Sequence, residues 1–117
     1  MDGNAIQNLI KKAYSAFNKR DIDGVLVLMD PEVHWPNGWE GGFVEGHSAV
    51  KEYWTRQWAE INPIVLPIGI QQMSDGRAEV EVQQIVKDLK GNLLADVKIK
   101  HVYTLKNGLI KAMEIMD

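Results

Sequence analysis

The sequence predicts an α+β fold in which three N-terminal helices cover one face of a curved, mainly antiparallel sheet. Apolar residues recur at helical spacing through the first 61 residues, and the pattern changes to alternation near Pro63. Turn signals separate the alternating segments, and the strongest is the Asn107-Gly108 pair. Helices followed by an antiparallel meander are typical of domains whose helices lie on one side of the sheet.

Three helices are expected in this first part of the chain. A stripe of apolar side chains at helical spacing indicates the first helix: Ile6, Ile10, Ala13 and Phe17. Asp21 is a typical N-cap for a second helix over residues 22–29, which Pro31 should end. A third helix over residues 49–61 places four side chains on one face: Val50, Trp54, Gln57 and Ile61. These helices supply the layer that covers the sheet.

The strands are expected between and after the helices. A short strand at residues 33–35 precedes a glycine-rich loop over residues 37–42. Alternation of apolar and polar residues predicts two long strands, over residues 78–86 and 97–105. The hairpin signal at residues 107–108 then returns the chain as a last strand. These strands form the meander of the predicted sheet.

Length and composition describe one globular domain over residues 1–117, because 45% of the residues are hydrophobic and 25% are charged. The net charge of −3 and the scattered basic residues argue against nucleic acid as a partner. No apolar run reaches the roughly 18 residues that cross a membrane. The absence of cysteine excludes disulfides and thiolate chemistry. The first residues, Met1 to Asn4, lack signal-peptide features, so a cytoplasmic location is expected.

Four segments resemble, in order and spacing, a known superfamily: FNKRDIDGV (17–25), DPEVHW (30–35), GHSAV with Tyr53-Trp54 (46–54) and YTLKNGLI (103–110). Together they identify the chain as similar to the nuclear transport factor 2-like superfamily, and most of all to its SnoaL-like and ketosteroid-isomerase-like branch. The resemblance implies a cone-shaped, cystatin-like fold that encloses a pocket. It implies no single activity, because the superfamily includes isomerases, cyclases, epoxide hydrolases, dehydratases and binding modules.

His101 is the first candidate for chemistry. Its parity with Ile99 and Leu105 places His101 and Tyr103 on the inward face of their strand. The resemblance implies that the ketosteroid isomerases hold a protonated aspartic acid here, which donates to an oxyanion. A histidine can donate in the same way or act as a base, whereas a buried histidine can also be satisfied by a neighbour. Burial should lower the pKa of His101 unless an acid lies beside it.

The other catalytic residues of these relatives are not matched. The position of the general-base aspartate of the isomerases falls at Trp35, and that of their tyrosine falls at Ala13, one residue from Tyr14. The arginine and aspartate of the epoxide hydrolases fall at Ile99 and His101. The resemblance therefore implies neither ketosteroid isomerase nor epoxide hydrolase chemistry.

Two acidic residues of the last strand are candidate partners of His101. Residues 113–117 resemble the end of the last strand in these families, with Asp117 on its final aspartate; the alternative is a frayed, solvated chain end. A regular hairpin pairs Glu114 with His101, whereas a bulge near Lys111 turns the next set of residues inward. The apolar character of that set favours the bulge: Met113 and Ile115.

Aromatic residues predict an apolar pocket, since all four tryptophans lie between residues 35 and 58. We expect Tyr14, Trp39 and Phe43 near its mouth. The deeper lining should include three further aromatic residues: Trp35, Trp54 and Tyr103. Trp35 and Trp54 fit a role in the core equally well. A large apolar side chain among glycines, such as Trp39, should cover either a ligand or a partner chain.

Three amides are candidate polar contacts in this pocket: Asn37, Gln57 and Gln84. Gln84 lies in a row of valines and Asn37 in the glycine-rich loop, and a buried amide must be hydrogen-bonded by a ligand or by the core. No two histidines have metal-ligand spacing, so no metal is expected. No glycine-rich loop has the pattern that binds a nucleotide, so no cofactor is expected.

Three functions remain open at this point. The first is an isomerase or cyclase that acts on a small apolar or polyketide-like ligand through proton transfer at His101. The second is a non-catalytic binding module, and the third is a dimeric scaffold with a vestigial pocket. A homodimer is expected through the outer sheet face, because the outward side chains there include two β-branched aliphatic residues and few charges. They are Gln83, Ile85, Val102 and Thr104.

Overall fold

The structure is a computed structural model that describes residues 3–116. Its helices are α1 (Gly3–Asn18), α2 (Ile22–Leu26) and α3 (His47–Glu60). Its strands are β1 (Met29–Pro36), β2 (Phe43–Glu45), β3 (Ile61–Gln72), β4 (Ala78–Asp88), β5 (Leu93–Lys106) and β6 (Leu109–Met116). The strands form one sheet in the order β2-β1-β6-β5-β4-β3, in which only β1 and β6 are parallel. The predicted α+β fold, with a mainly antiparallel sheet, is confirmed.

Helix α1 packs on the sheet through a continuous buried stripe: Ile6, Leu9, Ile10, Ala13 and Tyr14. Its C-terminal end is fixed to the edge strand by Asn18. The Asn18 amide nitrogen donates to the Val65 carbonyl at 2.8 Å, and the amide oxygen accepts from the Val65 backbone N–H at 2.9 Å. Because this pair of hydrogen bonds holds the last turn of α1 against β3, it also fixes the preceding turn, which carries Tyr14.

The second helix is shorter than predicted. Asp21 caps it as expected, since its carboxylate accepts from the Gly24 backbone N–H at 3.0 Å. The helix nevertheless ends at Leu26, and β1 already begins at Met29 and includes Pro31. The prediction of a helix to residue 29 was therefore wrong. Pairing between β1 and β6 is interrupted in this stretch, so the missing N–H of Pro31 breaks no regular ladder there.

The sequence pattern does not predict strand β3, because Pro63 and Pro67 interrupt the alternation that is typical of a strand. Both prolines lie within the strand. Since β3 is at the edge of the sheet and pairs only with β4, one side of its backbone needs no partner. The short strand β2, at the opposite edge, was also missed.

The bulge predicted near Lys111 is confirmed. The pairing of β5 with β6 shifts by one residue between Thr104 and Leu105. As a result Ile115, and not Glu114, lies opposite His101. The alternative of a regular hairpin, which would pair Glu114 with His101, is therefore not formed. Asp117, the second acidic candidate, lies outside the described residues.

Candidate functional site

A cavity of about 720 Å³ lies between the helices and the inner face of β4, β5 and β6. Its size falls in the range of small-molecule sites, roughly 300–1,000 Å³. Its lining includes ten residues that the sequence singled out as catalytic or ligand-binding candidates: Tyr14, Trp35, Asn37, Trp39, Phe43, Trp54, Gln57, Gln84, His101 and Tyr103. Their roles in binding or catalysis stay predictions.

Three polar side chains form a hydrogen-bonded chain at the closed end of the cavity. The Tyr103 hydroxyl donates to the Tyr14 hydroxyl at 2.8 Å, and the Tyr14 oxygen lies 2.7 Å from Nδ1 of His101. Since Tyr103 gives its proton to Tyr14, the Tyr14 proton is left for Nδ1 of His101. A neutral His101 that accepts at Nδ1 carries its own proton on Nε2.

His101 is neutral in this environment, because burial lowers its pKa from 6.5 to about 4. Among the described residues, none donates to or accepts from Nε2 of His101, and only Nε1 of Trp58 is a fully buried side-chain nitrogen or oxygen without a partner. Nε2 therefore keeps accessible surface, and His101 lines the cavity. Nε2–H of His101 is thus a neutral hydrogen-bond donor at the closed end of the cavity.

The two tyrosines of this chain stay protonated. Burial raises the pKa of Tyr14 and that of Tyr103 above their ordinary value. The Tyr14 ring stacks on His101 with centroids 5.9 Å apart and meets Tyr103 edge-on at 6.2 Å. The chain Tyr103–Tyr14–His101 therefore orients a donor and fixes its tautomer; it does not deliver a proton to the cavity.

Aromatic rings form one wall of the cavity. Trp54 is at its centre, with the rings of Trp35 at 5.8 Å, Trp58 at 5.7 Å and Phe17 at 5.3 Å. The Arg20 guanidinium lies over the Trp58 ring at 5.0 Å, within cation–π distance. Rings that are packed edge-on and stacked in this way form a rigid apolar surface, which suits a flat ligand.

The loop over residues 37–42, here called the Trp39 loop, covers part of the cavity. Asn37 is buried, and its amide oxygen accepts from the backbone N–H groups of Trp39 at 3.2 Å and Glu40 at 2.7 Å. Its amide nitrogen donates to Glu40 at 2.9 Å. These hydrogen bonds within the loop occupy the Asn37 amide, which weakens the prediction that Asn37 binds a ligand. Asn37 instead positions Trp39.

The Trp39 loop is also attached to α3. Both carboxylate oxygens of Glu40 accept from Arg56, at 2.8 and 3.1 Å. Beneath the loop, the buried Tyr53 hydroxyl faces the backbone amides of Gly38 and Trp39, and burial is the main cause that raises its pKa. Gln57 donates to this hydroxyl at 3.2 Å. Helical spacing of Tyr53 and Gln57 by four residues was the signal available for this pair.

Gln84 lies toward the open end of the cavity. It is half-buried, and its register neighbours on β3 and β5 are Val65 and Val97. Its amide forms no hydrogen bond with any other residue in the described part of the chain. Gln84 is therefore a polar group in an apolar row that faces the cavity without a protein partner.

Tyr14 is placed differently from its prediction. It was expected near the mouth, yet it is 5% exposed and lies at the closed end. The reason is visible in the stripe of α1, because Ile6, Ile10 and Tyr14 follow one another at intervals of four residues. Trp39 and Phe43, by contrast, are 39% and 54% exposed at the mouth.

No three His, Asp or Glu side chains among residues 3–116 approach each other closely enough to hold a metal ion. In the same range, no helix has the length and apolar character needed to span a membrane.

The fold and the cavity define an α+β domain with an aromatic, mostly apolar interior pocket. The chain belongs to the SnoaL-like domain family, whose model matches residues 10–113, and with it to the NTF2-like superfamily. The resemblance inferred from the sequence is therefore confirmed. Comparison with curated proteins gives no match.

Solved structures are similar over nearly the whole chain. An NTF2-like protein of unknown function from Burkholderia pseudomallei is 26% identical, with a TM-score of 0.83 over 99% of this chain and 92% of that chain. TerC, co-crystallised with polyporic acid, is 28% identical, with a TM-score of 0.83 over 97% of this chain and 92% of that chain. An uncharacterised cystatin-fold protein from Novosphingobium aromaticivorans is 17% identical, with a TM-score of 0.79 over 94% and 96%, and shares the fold.

Proposed function

We propose that the chain acts as a single SnoaL-like domain that binds a flat, apolar small molecule, and that Nε2–H of His101 donates a hydrogen bond to a carbonyl-type oxygen of that ligand. One observation carries the proposal: the chain Tyr103–Tyr14–His101 fixes a neutral N–H donor against an apolar cavity of about 720 Å³. A donor at an apolar wall favours a ligand with an acceptor, because a ligand without one leaves the donor unpaired. The co-crystallisation of TerC with polyporic acid supports a small-molecule ligand in this fold.

An isomerase or cyclase that uses His101 is the second candidate. With a pKa of about 4 and its proton on Nε2, His101 is a poor base at neutral pH. It can instead stabilise negative charge that develops on a substrate oxygen. A base would also be needed, and Glu114, at the exposed rim, is the carboxylate that the described lining offers. The binding function needs no such residue, so it is supported better than proton transfer by His101.

A dimeric scaffold is the third candidate, and the cavity argues against a vestigial pocket. We nevertheless propose a homodimer through the outer sheet face. On that face Ile85 is half-buried and Leu66 is 41% exposed, while Val102 is already covered within one chain. A solution mass near twice 13.2 kDa by light scattering is expected, and the mass of one chain would contradict the dimer. A cytoplasmic location stays a prediction.

The test of the binding function compares 9-fluorenone with fluorene, which differ by one carbonyl. Binding is measured by quenching of tryptophan fluorescence, since Trp35, Trp39 and Trp54 line the cavity. The wild type should bind fluorenone roughly threefold to tenfold more tightly than fluorene, the value of one net hydrogen bond. His101→Phe keeps the volume and removes both nitrogens, so it should bind the two compounds equally.

Tyr14→Phe is the second variant of this test. It keeps His101 but removes the donor that holds the proton on Nε2, so the preference for fluorenone should shrink without vanishing. Melting temperatures measured beside the affinities separate this effect from loss of fold. If His101→Phe keeps the full preference while it remains folded, the role of His101 in binding is wrong.

A further inference from the structure

The cavity presents two separate polar groups that have no protein partner on their ligand-facing side. His101 offers Nε2–H at the closed end, and Gln84 offers a free amide toward the open end. The pairing of β4 with β5 fixes how far apart their backbone positions are. His101 is paired with Val80, and Gln84 lies four residues further along the same strand. At about 3.3 Å per residue, the two rows are roughly 13 Å apart.

Between these two groups the wall is apolar. The intervening row contains Val82 and Ile99, and the opposite side is formed by the rings around Trp54. At neutral pH, Glu114 is the one residue of the described lining that carries a formal charge, and it lies at the exposed rim. A charged group placed deep in this cavity would be desolvated without a partner, which is costly. The interior therefore favours an uncharged ligand.

We propose that the cognate ligand is an uncharged, rod-shaped aromatic compound with one oxygen function at each end, of which one accepts from His101 and the other is bound by the amide of Gln84. The inference rests on the proposed binding function and adds the length and polarity of the ligand. Gln84 becomes the residue that determines specificity for the second oxygen. An amide can both donate and accept, so it takes a hydroxyl or a carbonyl equally.

The packed aromatic rings around Trp54 support the flat shape, and the strand geometry supports the length. A compound with a single polar end can satisfy His101 or Gln84 but not both. The unpaired group then loses solvent without gaining a partner, which lowers affinity. A compound with two oxygens that are close together meets the same difficulty. The spacing of the two rows thus selects ligands by length as well as by chemistry.

The experiment uses three rods of one shape: trans-stilbene, trans-4-hydroxystilbene and trans-4,4′-dihydroxystilbene. Dissociation constants are measured for the wild type, Gln84→Leu and Gln83→Leu. The wild type should bind the dihydroxy compound about threefold to tenfold more tightly than the monohydroxy compound. In Gln84→Leu this preference should vanish, while affinity for the monohydroxy compound stays close to the wild-type value.

Gln83→Leu is the matched control, because Gln83 is the preceding residue on the outer face of the same strand, where it donates to Asp96 at 2.9 Å. It should keep the full preference for the dihydroxy compound. A preference that survives in Gln84→Leu, or an equal loss in Gln83→Leu, overturns the proposal and leaves the role of His101 intact. Absence of binding by every stilbene also overturns it, since the fluorenone comparison tests the binding function separately.

Discussion

The two ends of the cavity differ although one strand runs through both. Along the inner face of β5, the exposed fraction is 1% at Tyr103, 6% at His101 and 47% at Val97. At the closed end, the polar groups are bonded to one another and removed from water. At the open end, Gln84 has no protein partner and keeps part of its solvent contact.

This difference determines how much each end of the cavity contributes to stability. Loss of the partner of a buried hydroxyl or imidazole lowers the free energy of unfolding, because nothing replaces the lost hydrogen bond. A half-exposed amide that is removed costs little, since water had satisfied it. We therefore expect changes at the closed end to lower stability as well as to alter ligand choice, and changes at the open end to alter ligand choice with little effect on stability. The next predictions test this division in order of expected effect.

The largest effect concerns the acid sensitivity caused by His101. Its pKa in the folded chain is about 4, below the ordinary value of 6.5. Folding therefore favours the neutral form, and this stabilisation is complete above pH 6.5 and lost as the pH falls to about 4. A shift of this size corresponds to about 3 kcal/mol. His101→Phe should lack that part of the pH dependence.

Urea unfolding of the wild type and His101→Phe at a series of pH values from 7 to about 4 measures it. At each pH, the free energy of unfolding of His101→Phe is subtracted from that of the wild type. The prediction concerns how this difference changes with pH, because the variant also leaves the Tyr14 hydroxyl without an acceptor at every pH. Parallel pH curves for the two proteins would contradict a buried neutral His101.

The second effect compares one residue from each end. Tyr103→Phe removes a buried hydroxyl that donates to Tyr14, so the free energy of unfolding should fall by about 1–2 kcal/mol. Gln84→Leu removes an amide without a protein partner, so its change should stay within about 0.5 kcal/mol. Urea midpoints at constant slope measure both. A larger loss in Gln84→Leu than in Tyr103→Phe would reverse the assignment of the two ends.

Local patterns made much of the fold predictable. Alternation and turn chemistry act over a few residues, so they located both long strands, the inward His101 and Tyr103, and the bulge near Lys111. Strand β3 was not predictable in the same way. Two prolines argue against an interior strand, and only the assembled sheet reveals that this segment is an edge.

The site was predictable residue by residue but not as an arrangement. Facing and parity selected the aromatic lining, because each is a property of one helix or strand. The contact between Tyr14 and His101 joins residues 87 positions apart, and it depends on how α1 lies across the sheet. That crossing is set by packing and by the bond of Asn18 to Val65, neither of which has a local signature. The partner of His101 was therefore sought among acids of the neighbouring strand.

The smallest effect on stability is expected at the Trp39 loop. A change in this loop should instead alter the rate of ligand exchange. Arg56 holds the loop to α3 through Glu40, and its hydrogen bond is the main cause that lowers the pKa of Glu40. The ion pair thus stabilises the loop above the ordinary pKa of Glu40 and is lost as the pH falls through the lowered value. Glu40→Gln should leave the melting temperature nearly unchanged, because exposed ion pairs contribute little. It should raise the dissociation rate of 9-fluorenone several-fold.

Asp75→Asn provides the matched control, since it weakens an exposed ion pair with Arg77 at 2.8 Å in a turn that does not line the cavity. Stopped-flow tryptophan fluorescence at neutral pH gives both dissociation rates. The control should release fluorenone at the wild-type rate. Because Trp39 lies over the mouth and Asn37 holds it in place, freeing the loop from α3 lets the ring swing away more often. Equal rates in Glu40→Gln and the wild type would mean that the ligand leaves past the open β4–β5 side and not past the Trp39 loop. The two ends of the cavity would then differ in ligand exit as well as in burial.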